Sequence, residues 1–306
     1  MKKILLILLL LLCGCQNRNG LSIACPSGVP SLALYNTEYF NTADAPSILP
    51  ELKGKNGSDI IIIDTINGVK ALNSGSNYKL AATITFGNFY IASTGHDSNG
   101  IMEDGDYIVL FSSGAAPDLL FHYLFGNKYE TNIHYVNAVA DAATCLIKGI
   151  NITDDNMPID EPYVDYVMIA EPALSASLSQ NENASIYLNI QDEYYKKTNG
   201  KTMIQASVFV SNKLNHDEAS QFLEKLENDI KNLISNPSLF EEYNDSYSPE
   251  QIREIYGIPN TKIVSKVLKN NTIGLGYKKA YDIKQEIDDY LAIFNIGESN
   301  EEIYFK

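Results

Sequence analysis

The chain has 306 residues, 45% of them apolar and 20% charged, which is a globular composition with room for two domains. Acidic residues outnumber basic ones 38 to 23, for a net charge of −15, which excludes the basic face that nucleic-acid binding needs. Arg18 and Arg253 are the only arginines, so a receptor that clamps anions with several bidentate guanidinium groups is excluded, and four cysteines are too few for a disulfide scaffold.

Met1-Lys2-Lys3 precedes an apolar run over 4–12, and Cys13-Gly14-Cys15 follows. Nine residues of helix span about 14 Å. A bilayer core is about 30 Å thick, so the run is too short to cross it. A short basic stretch followed by a short apolar one has the form of a secretory signal. Leu12-Cys13-Gly14-Cys15 is similar to a bacterial lipobox. The expectation is a signal peptide over 1–14, lipidation of Cys15 and a polar tether over 15–20. An ordinary signal peptide with incidental cysteines is the alternative. Several acyl chains on one cysteine would hold the chain to a bilayer, since a single chain binds only marginally. Cys25 and Cys145 lie in apolar surroundings and read as buried thiols or as a disulfide.

Strand and helix signals then alternate. A strand over 21–25 leads through Pro26-Ser27-Gly28-Val29-Pro30 to a helix over 31–36. An isoleucine-rich strand over 59–64 leads through Thr65-Ile66-Asn67-Gly68 to a helix over 69–73. A long strand-like run over 80–94 is interrupted at Gly87-Asn88. The strand over 107–111 is followed by Ser112-Ser113-Gly114-Ala115-Ala116-Pro117 and a helix over 118–125. A strand over 132–136, a helix over 138–148, a strand over 164–169 and a helix opened by Glu171-Pro172 continue the series. A further strand covers 203–210. Repeated strand, Gly/Pro turn and helix predict βα units and a mostly parallel sheet. In the last third, Asn215 and Glu218 have capping-box spacing, and Ser248-Pro249-Glu250-Gln251 starts another helix. Apolar stripes at helical spacing run from Ala219 to Ile234 and from Ile283 to Phe294.

No residue set asks for catalysis. His96, His122, His134 and His216 have no metal-site spacing, and there is no nucleophile elbow or Walker loop. No catalytic residue, metal or cofactor is predicted. Binding signals are better, because ligands of parallel α/β sheets collect at the carboxyl ends of strands beside helix N-termini. Those ends offer backbone N–H groups and a partial positive charge. Four turns fit: at Ser27-Gly28-Val29, at Thr65 to Asn67, at Ser113-Gly114-Ala115-Ala116 and at Glu171. Each is equally readable as an ordinary capped βα turn.

The order of these pieces resembles the lipid-anchored substrate-binding proteins of ABC importers, in the nitrate/sulfonate/taurine and thiamine-precursor group. The matching stretches are 26–34, 59–65, 86–90, 114–121 and 170–173, and the likeness they mark out covers nearly all the chain after Cys15 in order. The resemblance implies an α/β, type II periplasmic-binding-protein-like fold, with two lobes and a hinge of two crossing strands. It implies a first lobe over 21–94 and 207–306, a second over 95–206, and crossings near 91–95 and 205–208. It implies that Ser27, Gly28, Val29, Thr65 and Asn67 face the ligand from the first lobe. Asn88 and Tyr90 would sit near the hinge. Ser113, Gly114, Ala115, Ala116 and Glu171 would face the ligand from the second lobe, with Glu171 either touching it or capping its own helix. Basic residues are absent from all four turns, so a neutral or zwitterionic organic molecule fits at least as well as an anion. Such a molecule would stack on Tyr90 or Phe86, unless those rings belong to the core.

The function implied is an extracytoplasmic solute-binding lipoprotein. It would be anchored to the bacterial membrane through Cys15, and would deliver a small organic solute to the permease subunits of an ABC importer. The alternatives are an enzyme on the same fold acting on a pyrimidine-like or menaquinone-precursor compound, and a ligand-sensing surface lipoprotein.

Overall fold

The computed structural model describes residues 20–306 apart from 55, 97–99, 127, 130–131, 153–157, 259, 271 and 298–299. The predicted signal peptide, Cys15 and the tether up to Asn19 lie outside the described residues.

Two mixed sheets organise the chain. The first holds β1 (Ile23–Cys25), β2 (Asn41–Thr42), β3 (Ile60–Asp64), β4 (Tyr78–Thr85), β12 (Ala206–Ser211) and β13 (Leu275–Lys279), in the order β13-β4-β12-β3-β1-β2. The second holds β5 (Phe89–Ser93), β6 (Ile108–Phe111), β7 (Ile133–Val136), β10 (Tyr166–Ala170) and β11 (Ser185–Asn189), in the order β11-β5-β10-β6-β7. A separate hairpin pairs β8 (Ile150–Ile152) with β9 (Pro158–Tyr163).

The expected mostly parallel sheet is corrected by this pairing. β1 runs parallel to β2 and β3, and β6 runs parallel to β7 and β10. β12 runs antiparallel to β3 and β4, and β5 runs antiparallel to β10 and β11. Parallel neighbours need a returning crossover helix. β5 and β12 instead enter their sheets straight from the opposite lobe, so they run against their neighbours.

The four isoleucines of β3 show why this strand is a continuous apolar run. Successive side chains point to opposite faces. Ile60 and Ile62 pack in the cluster that holds Leu226 and Ile230 of α8 (His216–Ser235) and Val264 of α11 (Thr261–Lys269). Ile61 and Ile63 join the cluster of Ile48 and Leu52 of α2 (Ala45–Lys53) and Val69 of α3 (Thr65–Asn73). With helices on both faces, neither alternate set can be polar.

The predicted turn over 65–68 is the first turn of α3. Asp64 caps it, and its Oδ1 accepts the N–H of Asn67 at 2.8 Å. The helix therefore starts directly at the strand end. At the later start, the Ser248 hydroxyl and Gln251 side chain form the expected reciprocal capping box of α10 (Pro249–Tyr256). Asn215 Oδ1 caps α8 by accepting from the N–H of Asp217 at 2.8 Å.

Two short passages connect the lobes. At 86–88, the Phe86 N–H still donates to Gly274 O in the first lobe at 2.8 Å, while Asn88 O already accepts from the Glu171 N–H in the second at 3.0 Å. The second passage is 202–205, just before β12. The crossings expected near 91–95 and 205–208 are thus corrected. Residues 89–93 belong to the second lobe, and Val208 lies within β12, opposite Ile62 and Ala82. The apolar run 89–94 reads in sequence as a continuation of β4; only the bend at Gly87, with φ +113°, separates them.

A third contact joins the lobes without a covalent link. Tyr290 of α12 (Lys284–Ala292) packs 6.0 Å from Tyr194 of α7 (Ile190–Lys197), and Lys201 pairs with Asp289 at 3.0 Å. Among the described residues, no helix is long and apolar enough to cross a membrane.

Gly68 lies inside α3 against the buried ring of Phe209, where an added Cβ would sit 2.0 Å from Cζ. Alanine gains about 1 kcal/mol of helix propensity over glycine. Overpacking a core costs about 1–3 kcal/mol. Gly68→Ala is therefore expected to lower the urea midpoint; an unchanged or raised midpoint would contradict this packing.

Candidate functional site

The carboxyl ends of β1, β3, β6 and β10 and the two passages converge on one cavity of about 130 Å³. A cavity of about 150 Å³ accepts a benzene ring. This one suits a molecule of that order. Ser27, Gly28, Val29, Asp64 and Gly257 line it from the first lobe. Ser112, Ala115, Ala116, Glu171 and Ala173 line it from the second, and Asn88 and Gln205 line it at the passages. Seven of the residues named from sequence thus line the cavity: Ser27, Gly28, Val29, Asn88, Ala115, Ala116 and Glu171.

Six others lie outside the lining, each for a visible reason. Thr65 is fully buried, and its Oγ1 sits 2.7 Å from Ser207 Oγ, which in turn lies 3.0 Å from Thr83 Oγ1. Asn67 is in the first turn of α3, and its side-chain amide donates to Asp64 Oδ2 at 3.2 Å. Tyr90 is a strut between the lobes, because its hydroxyl donates to Thr272 O at 3.1 Å. Burial, with Glu171 and Asp192 nearby, pushes that hydroxyl up to about 12. Phe86 also lies outside the lining and faces Lys278, whose Nζ is 5.5 Å from the ring centre. Ser113 and Gly114 complete the turn before α4 (Ala116–Phe125), where the Gly114 N–H donates to Asp118 Oδ2 at 2.7 Å.

The donors expected to meet a ligand are partly used inside the protein. The Gly28 N–H donates to Tyr256 O at 3.0 Å, and the Ala115 N–H to Ser112 O at 3.0 Å. The amide of Asn88 is bound on both sides. Its Nδ2 donates to Glu171 O at 2.9 Å, and its Oδ1 accepts from Gln205 Nε2 at 2.5 Å.

Glu171 both caps and lines. Its Oε2 accepts from the Ser175 N–H at 3.0 Å and its Oε1 from the Ser175 hydroxyl at 2.8 Å, in the first turn of α6 (Ala173–Leu178). Burial holds its carboxyl above the usual range, against the opposing pull of the Ser175 bonds and Lys266. Asp64 was not singled out from sequence. Its carboxyl is also raised by burial, opposed by the bonds from Asn67 and by Lys70. Among the described residues these two are the charged side chains in the lining, with no lysine or arginine beside them.

His122 has a carboxylate partner. Its Nε2 lies 3.2 Å from Asp118 Oδ1 and 3.1 Å from the hydroxyl of Tyr135, which donates to the same Oδ1 at 2.9 Å. None of the three lines the cavity. The group fixes the turn before α4 from behind. Among the described residues no group of three His, Cys, Asp or Glu side chains is placed to hold a metal ion. Cys25 and Cys145 are free and buried. Burial raises both thiols, that of Cys145 to about 11.

No family model matches the sequence. No curated protein matches it either. Solved structures do. An ABC transporter protein from Parabacteroides distasonis is 17% identical with a TM-score of 0.70, over 94% of this chain and 98% of that one. The periplasmic aliphatic sulphonate binding protein SsuA of Escherichia coli is 13% identical with a TM-score of 0.58, over 94% and 91%. The Candida albicans CA3427 gene product, which exhibits the generic periplasmic binding protein fold, is 11% identical with a TM-score of 0.58, over 92% of each chain. This chain has the periplasmic-binding-protein fold. In that fold the cavity lies between the lobes, where the strand order of both sheets turns over, as expected for an α/β binding crevice.

The raised carboxyl of Glu171 has a stability consequence. An unfolded glutamate ionises near 4.5. Between that pH and the higher folded value the native state holds the extra proton, so stability falls as pH rises through the window. Glu171→Gln keeps an acceptor for Ser175 and has no proton to lose. The stability of E171Q relative to wild type is expected to climb by about 1.4 kcal/mol for each pH unit the window spans, then level off. Urea titrations from pH 4 to 8 read this; a constant difference would contradict the buried placement.

Proposed function

We propose that this chain is an extracytoplasmic solute-binding lipoprotein of an ABC importer, which captures a small organic molecule between its lobes and delivers it to a permease. The observation that carries the reading is the cavity itself. It is built from the strand ends of both lobes and from both passages, so a ligand there touches every part that has to move when the lobes close. The fold neighbours that are an ABC transporter protein and a sulphonate binding protein support the class. The lipobox-like Leu12-Cys13-Gly14-Cys15 supports an anchored, extracytoplasmic location.

The ligand is small and has an apolar body, because the lining is mostly Pro, Ala, Val and Phe. Binding only the folded state raises stability by RT ln(1 + [L]/Kd), about 2.7 kcal/mol at a hundredfold excess over Kd. The purified chain is expected to carry a stoichiometric small molecule, or to gain several degrees in Tm from one member of a compound screen. Mass spectrometry of the released ligand and thermal shift check this; if neither finds a ligand, the receptor reading falls. Cys15→Ala is expected to abolish labelling by radioactive palmitate in cells, and unchanged labelling would overturn the anchor.

A further inference from the structure

Four of the helices that start around the cavity each carry a carboxylate of the chain itself at or beside the N-terminus, whereas, among the described residues, the starts of α2 and of the short helix Val29–Leu32 make no such side-chain bond. Asp64 binds the Asn67 N–H at the start of α3, and Glu171 binds the Ser175 N–H at the start of α6. Asp118 binds the Gly114 N–H before α4, and Asp141 Oδ2 accepts from the Ala138 N–H at 3.0 Å, at the start of α5 (Val139–Lys148). An anionic ligand in such a crevice would use those donors and the half-charge of each dipole. At these four starts both are already met by internal anions. A whole negative charge outweighs the roughly half positive charge of one helix end. With no lysine or arginine in the lining among the described residues, the cavity wall is negative on balance. Lys70 and Lys266 act on Asp64 and Glu171 from outside the lining.

We propose that the cavity selects a compact organic cation, a body of about one ring bearing a protonated amine, with the ammonium group set against Glu171 and Asp64. The two carboxylates come from opposite lobes, so one cation bridging them also favours closure. Each carboxylate has about four lone-pair positions. The helix-capping bonds use two of them on each, and the Thr272 side chain acts on Glu171 as well, which still leaves acceptors for an ammonium. Burial raises both carboxyls in spite of the opposing pull of Lys70 and Lys266, and a bound ammonium would add countercharge at the cavity itself. This inference rests on the receptor reading and names its ligand class.

The test uses the full chain and matched single-ring probes that differ only in head group, such as benzylamine, benzyl alcohol and benzoate, extended to small cyclic and aliphatic sets. Affinities are read by calorimetry and thermal shift at pH 7. The expected result is a best binder in the amine series, at least tenfold tighter than its alcohol counterpart, with the carboxylate counterpart not binding. E171Q and D64N, checked for folding by circular dichroism, are each expected to reduce the amine-over-alcohol preference about tenfold. A tightest binder in the carboxylate or alcohol series overturns the charge inference and leaves the receptor reading standing. A preference for amine that survives both substitutions overturns the assignment of Glu171 and Asp64. Absence of binding in all three series, with no ligand released from the purified chain, overturns both.

Discussion

A chain that passes twice between two sheets must satisfy peptide groups that belong to neither ladder. Asn88 and Gln205 meet that constraint together. The Asn88 N–H donates to Gln205 Oε1 at 3.1 Å, and Gln205 Nε2 returns a bond to Asn88 Oδ1. The backbone of Gln205 closes the pair against the first sheet, through its N–H to Thr85 O and its carbonyl to the Thr65 N–H, both at 3.0 Å. Asn88 Nδ2 closes it against the second through Glu171 O. Leaving one such buried group unpaired costs about 1–3 kcal/mol. The same two residues line the cavity, so hinge and binding wall share their atoms. A shift at either passage would therefore move the cavity wall through one hydrogen-bonded group.

That sharing also changes what the four turns mean. In isolation each turn offers backbone donors to a ligand. In the folded chain those donors are largely met by carboxylates one turn along, or by carbonyls of neighbouring elements such as Tyr256. The global charge of −15 said only that nucleic acid is excluded. The local arrangement goes further, because acidic side chains stand at the helix starts around the cavity while the lysines that offset them lie behind it.

Much of this was legible from the residues in order. The isoleucine run of β3 announced a doubly covered strand, and Ser248 to Gln251 announced a helix start. Both follow from side-chain chemistry acting over a few residues. The strand break at Gly87-Asn88 was legible, but not that the chain changes lobes there, because lobe membership is decided by partners far away in β10 and β11. Thr65 and Asn67 were misplaced because Asp64 reads equally as the last residue of a strand and as an N-cap; only its bond to Asn67 decides. Asp118 and Asp141 stand at the third helical position of α4 and α5, a signal available to capping-box reasoning. Gly257 and Ala45 reach the cavity from remote elements and left no local signal.

The size of the cavity follows from a repeated local choice. The first helical residues of α1 (Val29–Leu32), α2, α4, α5 and α6 are Val29, Ala45, Ala116, Val139 and Ala173, and all five line it. A helix start aimed at a shared centre brings its first side chain there. Larger residues at those five positions would fill the space, and polar ones would add groups needing partners. Small apolar side chains keep a volume open, while Asp64 and Glu171, at the starts of α3 and α6, are the carboxylates that line it. Shape and charge of the site are thus set within one helical turn of each other, by residues whose first task is to begin a helix.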